Sequence, residues 1–156
     1  MKKVGMIAGT GELPIAIASE AKALGYSVVA IALEPLADKS LSLYVDEIRW
    51  VNVGKFGKIV DALKKYDIQE ILMAGKVSKS LLYKSRITPD LRAVKLLLSI
   101  KDRSDDSILL AITKELAKEG FKLLDLTIFT SNLLTPQGIL TDSKPSDDEW
   151  KDISFG

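Results

Sequence analysis

Two glycine-bearing stretches hold the residues of greatest chemical promise in this chain of 156 residues. Near the amino terminus, Ile7-Ala8-Gly9-Thr10-Gly11-Glu12-Leu13-Pro14 sets an apolar run before a glycine-punctuated loop, and a helix is expected to open at Pro14. Glycines let the backbone turn sharply and approach a ligand closely, and the unpaired N–H groups and dipole of a helix start favour an anion. That is the chemistry of a phosphate seat, with a nucleotide as its natural ligand. The second stretch is Gly75-Lys76, at the end of an expected strand, Glu70 to Ala74. A lysine there can reach a phosphate held by the first loop, and Lys79 is a weaker second candidate. Asp105-Asp106, directly after Ser104, admit two readings. They could hold Mg²⁺ at a diphosphate, or they could be helix-start acids stabilised by the dipole.

The loop matches the dinucleotide fingerprint Gly-x-Gly-x-x-Gly at two of its three glycines, because Pro14 stands at the third position. Pro14 suits the first turn of a helix but does not supply the close helix-to-strand packing of that glycine. The acidic residue of the fingerprint could be Glu34, at the end of the second expected strand. The plainer alternative is that Gly9 and Gly11 form a tight turn and Glu34 is solvated. Trp50 and Tyr83 could stack on a base or sugar, although core or lid roles are the commoner use of such residues.

The elements that must position these residues alternate along the chain. Val4 to Ala8, Ser27 to Leu33, Glu47 to Val53, Glu70 to Ala74 and Phe121 to Phe129 read as strands. The second is apolar at nearly every position, as strands buried on both faces are. Leu13, Ile17, Ala21 and Leu24 form one helical stripe that Gly25 ends. Gly54-Lys55-Phe56-Gly57 opens a second helix, Pro89-Asp90 a third, and Ser104 caps a fourth carrying Ile108, Leu109, Ile112 and Leu116. Strands alternating with helices predict a doubly wound α/β fold, a mostly parallel sheet of about five strands with helices on both faces. Leu81 to Thr88 reads as a basic loop or short helix, and Leu134-Thr135-Pro136-Gln137-Gly138 as a turn cluster. Residues 1–140 form the expected domain. Residues 141–156 are acidic, with Trp150, Ile153 and Phe155 as their large apolar side chains, and are expected to be a linker or a tail that packs on a partner.

Composition narrows the chemistry. The chain has no histidine and no cysteine, which removes imidazole bases, thiol nucleophiles, disulfides and His- or Cys-ligated metal. Acid–base or metal chemistry must use carboxylates, lysine, tyrosine or the ligand. A net charge of +1 argues against a nucleic-acid partner. The apolar runs fall short of the roughly 20 residues of a membrane span, and nothing resembles a signal peptide. The cytoplasm is the expected location, with at most peripheral contact with the inner membrane.

Taken in order, the stretches from Ile7 to Pro14, Ile31-Ala32-Leu33, Ala37-Asp38, Gly54 to Lys58, Ala74 to Val77, Pro89-Asp90, Asp105-Asp106 and Leu134 to Leu140 resemble the amino-terminal domain of the LpxI family. These are UDP-2,3-diacylglucosamine diphosphatases of lipid A synthesis. The resemblance implies a Rossmann-like domain that, with an unrelated carboxyl-terminal domain, encloses the substrate. It implies hydrolysis of the diphosphate to UMP and lipid X, with Mg²⁺ or a similar divalent cation. For Gly9, Thr10, Gly11 and Leu13 it implies contact with the nucleotide side of the substrate, for Gly75, Lys76 and Lys79 contact with its phosphates or sugar, and for Asp105 and Asp106 a metal role. Lys79-Ser80 stand where the family usually has an Arg-Pro pair. The family's second domain, which carries the acidic residue generally assigned to catalysis, has no counterpart in these 156 residues. The chain is therefore expected to bind substrate but to be inactive alone, with a second copy or a separate carboxyl-terminal domain as partner. A non-catalytic, regulatory nucleotide-binding module is the alternative.

Overall fold

The computed structural model describes residues 2–77, 87–100, 104–130 and 138–155. Five strands, β1 (Lys2–Ala8), β2 (Tyr26–Glu34), β3 (Glu47–Asn52), β4 (Glu70–Ala74) and β5 (Lys122–Leu123), form one sheet in the order β3-β2-β1-β4-β5. Every pairing is parallel, so the expected doubly wound α/β fold is borne out. The helices are α1 (Leu13–Ala23), α2 (Phe56–Lys65), α3 (Leu91–Ser99), α4 (Asp105–Lys118) and α5 (Asp147–Phe155).

Alternation along the strands sorts side chains onto two faces. Val4, Met6 and Ala8 of β1, Val28, Ala30 and Ala32 of β2, and Leu72 and Ala74 of β4 meet Ile17, Ala18 and Ala21 of α1. Ile7, Val29, Ile31, Leu33 and Ile71 point the other way, into a core completed by Val60 and Leu63 of α2 and Leu116 of α4. Helices therefore cover both faces. Gly25, at φ +81°, ends α1 as expected.

The fifth strand is shorter than the apolar run from Phe121 to Phe129 predicts. It stops at Leu123, and Leu126–Phe129 turn into a 3₁₀ helix because the Asp125 carboxylate accepts the Thr127 N–H at 2.9 Å. Phe129 still reaches the core and packs edge-on against Tyr26, with ring centroids 5.2 Å apart. The acidic tail contains a helix rather than unbroken linker. Ser146 and Glu149 form a reciprocal cap, in which the Ser146 N–H donates to Glu149 Oε2 at 2.7 Å and the Glu149 N–H donates to Ser146 Oγ at 3.4 Å.

Candidate functional site

Strand order reverses between β1 and β4, and the loops leaving their carboxyl ends meet there. The Gly9 N–H donates to the Ala74 carbonyl at 2.8 Å, and Thr10 and Lys76 exchange two hydrogen bonds, each 3.0 Å, as an antiparallel bridge. This bridge explains two of the glycines. A Cβ on Gly9 would lie 2.6 Å from the Lys76 carbonyl oxygen, and one on Gly75 would lie 2.7 Å from the Thr10 oxygen and 2.9 Å from the Gly9 carbonyl carbon. Gly75 also has φ +88°, a left-handed conformation that disfavours any side chain. Its hypothetical Cβ would touch Pro14 Cγ at 3.1 Å. Pro14 is buried, so helix α1 seats itself on Gly75. The close packing that the fingerprint assigns to its third glycine is thus supplied from the opposite loop.

The rest of the loop faces solvent. Thr10, Gly11, Leu13 and Lys76 are exposed on one rim, and Gly11, at φ +104°, would place a Cβ in open space. Glu12 is the N-cap of α1, and its side chain makes no capping hydrogen bond. No side chain caps the start of α1 beside the Lys76 segment, but Pro14 carries no N–H and the Ile15 N–H donates to the Glu12 carbonyl at 3.0 Å, so an anion there would meet mainly the helix dipole.

Other expected site residues lie elsewhere or have structural duties. Lys79 and Tyr83 fall outside the described residues. Asp105 and Asp106 begin α4 behind its N-cap Ser104, and Asp106 is exposed. Among the described residues no three potential metal-ligating side chains cluster. That fits only a divalent ion held largely by substrate oxygens and water, with one or two carboxylates. Glu34 ends β2 exposed, with its carbonyl accepting the Val53 N–H. Trp50 is half-buried against the α1-side core. Asp90 joins two of the motif stretches: its carboxylate accepts the Gly57 N–H of α2 and the Ala93 N–H of α3, each at 2.8 Å, while its own N–H donates to the Gly54 carbonyl.

A cavity of about 360 Å³ opens beside these loops, on the sheet face away from α1, and the sequence reading did not find it. Its walls include Leu33, Met73, Ala93, Leu97 and Ile112, with Gly9 and Gly75 on the loop side. Leu96 and Leu97 of α3 both line it, but their spacing is that of ordinary core-facing leucines, so the sequence carried no distinct signal of it. A larger groove of about 720 Å³ between α3 and α4, lined partly by Arg92, Lys95, Lys114 and Lys118, touches neither the Gly9 nor the Gly75 loop.

Two carboxylates brace the scaffold. Asp46 is held below the usual carboxylate range, first by the Val28 N–H at 2.8 Å and then by Lys22 at 3.0 Å, which fastens α1 to the start of β3. Glu119, just past α4, is lowered mainly by its hydrogen bond from Lys64 of α2 and further by Arg92 of α3. It ties three helices together.

Residues 3–133 match the family profile described as the LpxI N-terminal domain. The chain belongs to the LpxI family. Among LpxI proteins, the UDP-2,3-diacylglucosamine pyrophosphatase LpxI of Caulobacter vibrioides is 33% identical over 156 residues, covering 98% of this chain and 54% of the relative. The chain thus spans about half the length of that relative. Solved structures with partial similarity to this LpxI domain include the ADP-bound biotin carboxylase domain of a thermophilic 2-oxoglutarate carboxylase, at 16% identity and TM-score 0.47 over 79% of this chain and 22% of that one. Phosphoribosylglycinamide synthetase from Anaerococcus prevotii is similar at 22% identity and TM-score 0.39, over 47% and 18%. No helix among the described residues is long and apolar enough to cross a membrane.

Proposed function

We propose that this chain supplies the substrate-binding half of an enzyme that hydrolyses the diphosphate of UDP-2,3-diacylglucosamine to UMP and 2,3-diacylglucosamine 1-phosphate, in lipid A synthesis at the cytoplasmic side of the inner membrane. The observation that carries the reading is the bridged pair of loops at the β1–β4 switch, in a chain of the LpxI family. In the reaction, water oxygen bonds to one phosphorus, the bridging P–O bond breaks, and two phosphate monoesters and a proton leave. The α1 amino terminus and Lys76 would hold the diphosphate, with Thr10, Gly11 and Leu13 on its nucleotide side, and Lys79 on its sugar side. A divalent cation such as Mg²⁺, held by substrate oxygens with Asp106 and Asp105, would neutralise charge on the leaving phosphate. Catalysis would need a group from a partner domain, so the chain alone binds and does not turn over.

The test is thermal unfolding with UMP, UDP-N-acetylglucosamine, ATP and NADH, each with and without Mg²⁺. A uridine ligand at about 100 times its dissociation constant should add roughly 2.7 kcal/mol of stability. Lys76→Ala, at an exposed position, should abolish that shift without lowering the unliganded midpoint. Stabilisation by ATP or NADH alone would overturn the reading. A preference for ATP would favour a regulatory nucleotide-binding module.

A further inference from the structure

We infer that the outer edge of β3 pairs antiparallel with the same edge of a second copy of this chain, about a twofold axis at Ile48. β3 ends the sheet, and among the described residues no strand lies on its outer side. The opposite end of the sheet is β5, whose two residues are too short to template another strand. β3 offers six, Glu47 to Asn52. Its pairing with β2 determines which of its backbone groups face outward. Glu34 pairs with Asn52, and Pro35 has no N–H to give, so the ladder there runs through Glu34, whose carbonyl accepts the Val53 N–H at 3.0 Å. Alternation back along β3 turns the N–H and C=O groups of Arg49 and Val51 toward β2 and those of Ile48 and Trp50 outward. Such a free row of donors and acceptors is a template for another strand.

Charge selects both the occupant and the register. Edge strands commonly carry charges that repel a partner, and β3 carries Glu47 and Arg49, both exposed and neither in an ion pair among the described residues. In one register these charges are self-complementary. With Ile48 opposite its own counterpart, Glu47 faces Arg49 of the second copy and Arg49 faces Glu47 of the second copy, at the positions where antiparallel side chains approach most closely. Moving the axis to either neighbour sets Arg49 against Arg49 or Glu47 against Glu47. Val51 belongs to the α2-side core, so Glu47 and Arg49 lie on that face of the strand. A groove of about 480 Å³ runs there, lined by Arg49 and Val51 of β3 and by Lys58 and Lys65 of α2, and it gives the arriving carboxylate room and further positive charge. On the α1 face the half-buried Ile48 meets its counterpart. β2 and β1 separate this edge from the β1–β4 switch, and antiparallel pairing turns the bridged loops of the two copies to opposite edges of the joined sheet.

Sedimentation of the full chain over a range of concentrations, with amide hydrogen exchange on the same samples, tests this. The chain should pass from monomer to dimer as concentration rises, and exchange should slow at the Ile48 and Trp50 amides, which become donors only in the dimer. Arg49→Glu and Glu47→Arg, both at exposed positions, should each weaken the dimer by about tenfold or more, because two attractive cross-strand pairs become repulsive. An equimolar mixture of the two variants should associate again, since every facing pair is then of opposite charge, and the double reversal Glu47→Arg with Arg49→Glu should dimerise like the parent chain. A chain that stays monomeric at every concentration would overturn the interface. So would a dimer indifferent to both reversals, with unchanged exchange at Ile48 and Trp50. Failure of the mixed variants to associate, where the parent chain does, would overturn the register centred on Ile48.

Discussion

The two faces of the sheet are covered in different ways. On the α1 face, small residues meet small residues: Ala8, Ala30, Ala32 and Ala74 of the strands lie under Ala18 and Ala21 of the helix, all with almost no exposure. Larger side chains such as Met6, Ile17 and Leu72 fill the rest of this face, and at its carboxyl edge Pro14 reaches Gly75. On the opposite face, Ile7, Leu33 and Met73 look into a cavity, and Leu91 and Leu98 of α3 are 80% and 75% exposed. One face fixes the loop that would hold an anion, and the other keeps apolar room beside it. Rigidity and space are thus divided between the two sides of the same strands.

Substitutions on each side sharpen that contrast. The largest effect is expected at the seam: Gly75→Ala adds a Cβ within 3 Å of the Thr10 and Gly9 backbone at positive φ, and should cost about 4 kcal/mol or more, read as loss of the cooperative melt. Next, Ile17→Ala on the closed face should cost about 3 kcal/mol by denaturant unfolding, whereas Leu98→Ala on the open face should stay within about 0.5 kcal/mol. Equal costs at the two positions would dissolve the comparison. Asp90→Ala removes the cap of α3 and the acceptor for Gly57, and should lower stability by about 1–2 kcal/mol.

The smallest effect concerns Glu119, which braces the open face. Its carboxyl is held below the usual range, so its contribution is present above the unfolded-state value, about 4.3, and is lost as pH falls through the depressed folded value. Its partners are half-exposed and solvent screens them, so Glu119→Gln should cost no more than about 1 kcal/mol at pH 7. The melting difference between the two proteins should persist down to about pH 4.5 and close below it. A difference that widens in acid would reverse the assigned sign.

Much of the scaffold was legible in the sequence, for reasons that separate local from distant causes. Buried parallel strands are continuous apolar runs, so β1, β2 and β4 lie where the runs are. Ser104 as N-cap and Gly25 as terminator act through their own neighbours and were equally readable. The tail helix was readable in principle, since Ser146-Asp147-Asp148-Glu149 is a capping box, but the acidic composition outweighed it. The end of β5 turned on one carboxylate, Asp125, inside an otherwise strand-like run. The Thr10–Lys76 bridge, the seat of Pro14 on Gly75 and the clasp of Asp90 on Gly57 depend on registers between segments far apart in the chain. Local periodicity carries no information about them. The cavity escaped for a related reason, because a leucine facing a void has the same spacing as one facing a core.

The pairing of Ala8 with Ala74 also sets a timetable. During synthesis β1, α1 and β2 are available to one another early, while the strand that completes the first loop emerges much later. Closing so long a segment is entropically slow relative to local pairing. The Gly9–Gly11 loop can reach its final shape only when β4 arrives and Gly75 slides under Pro14. Under the proposed function, ligand capture would then have to wait for the fourth strand to join the sheet.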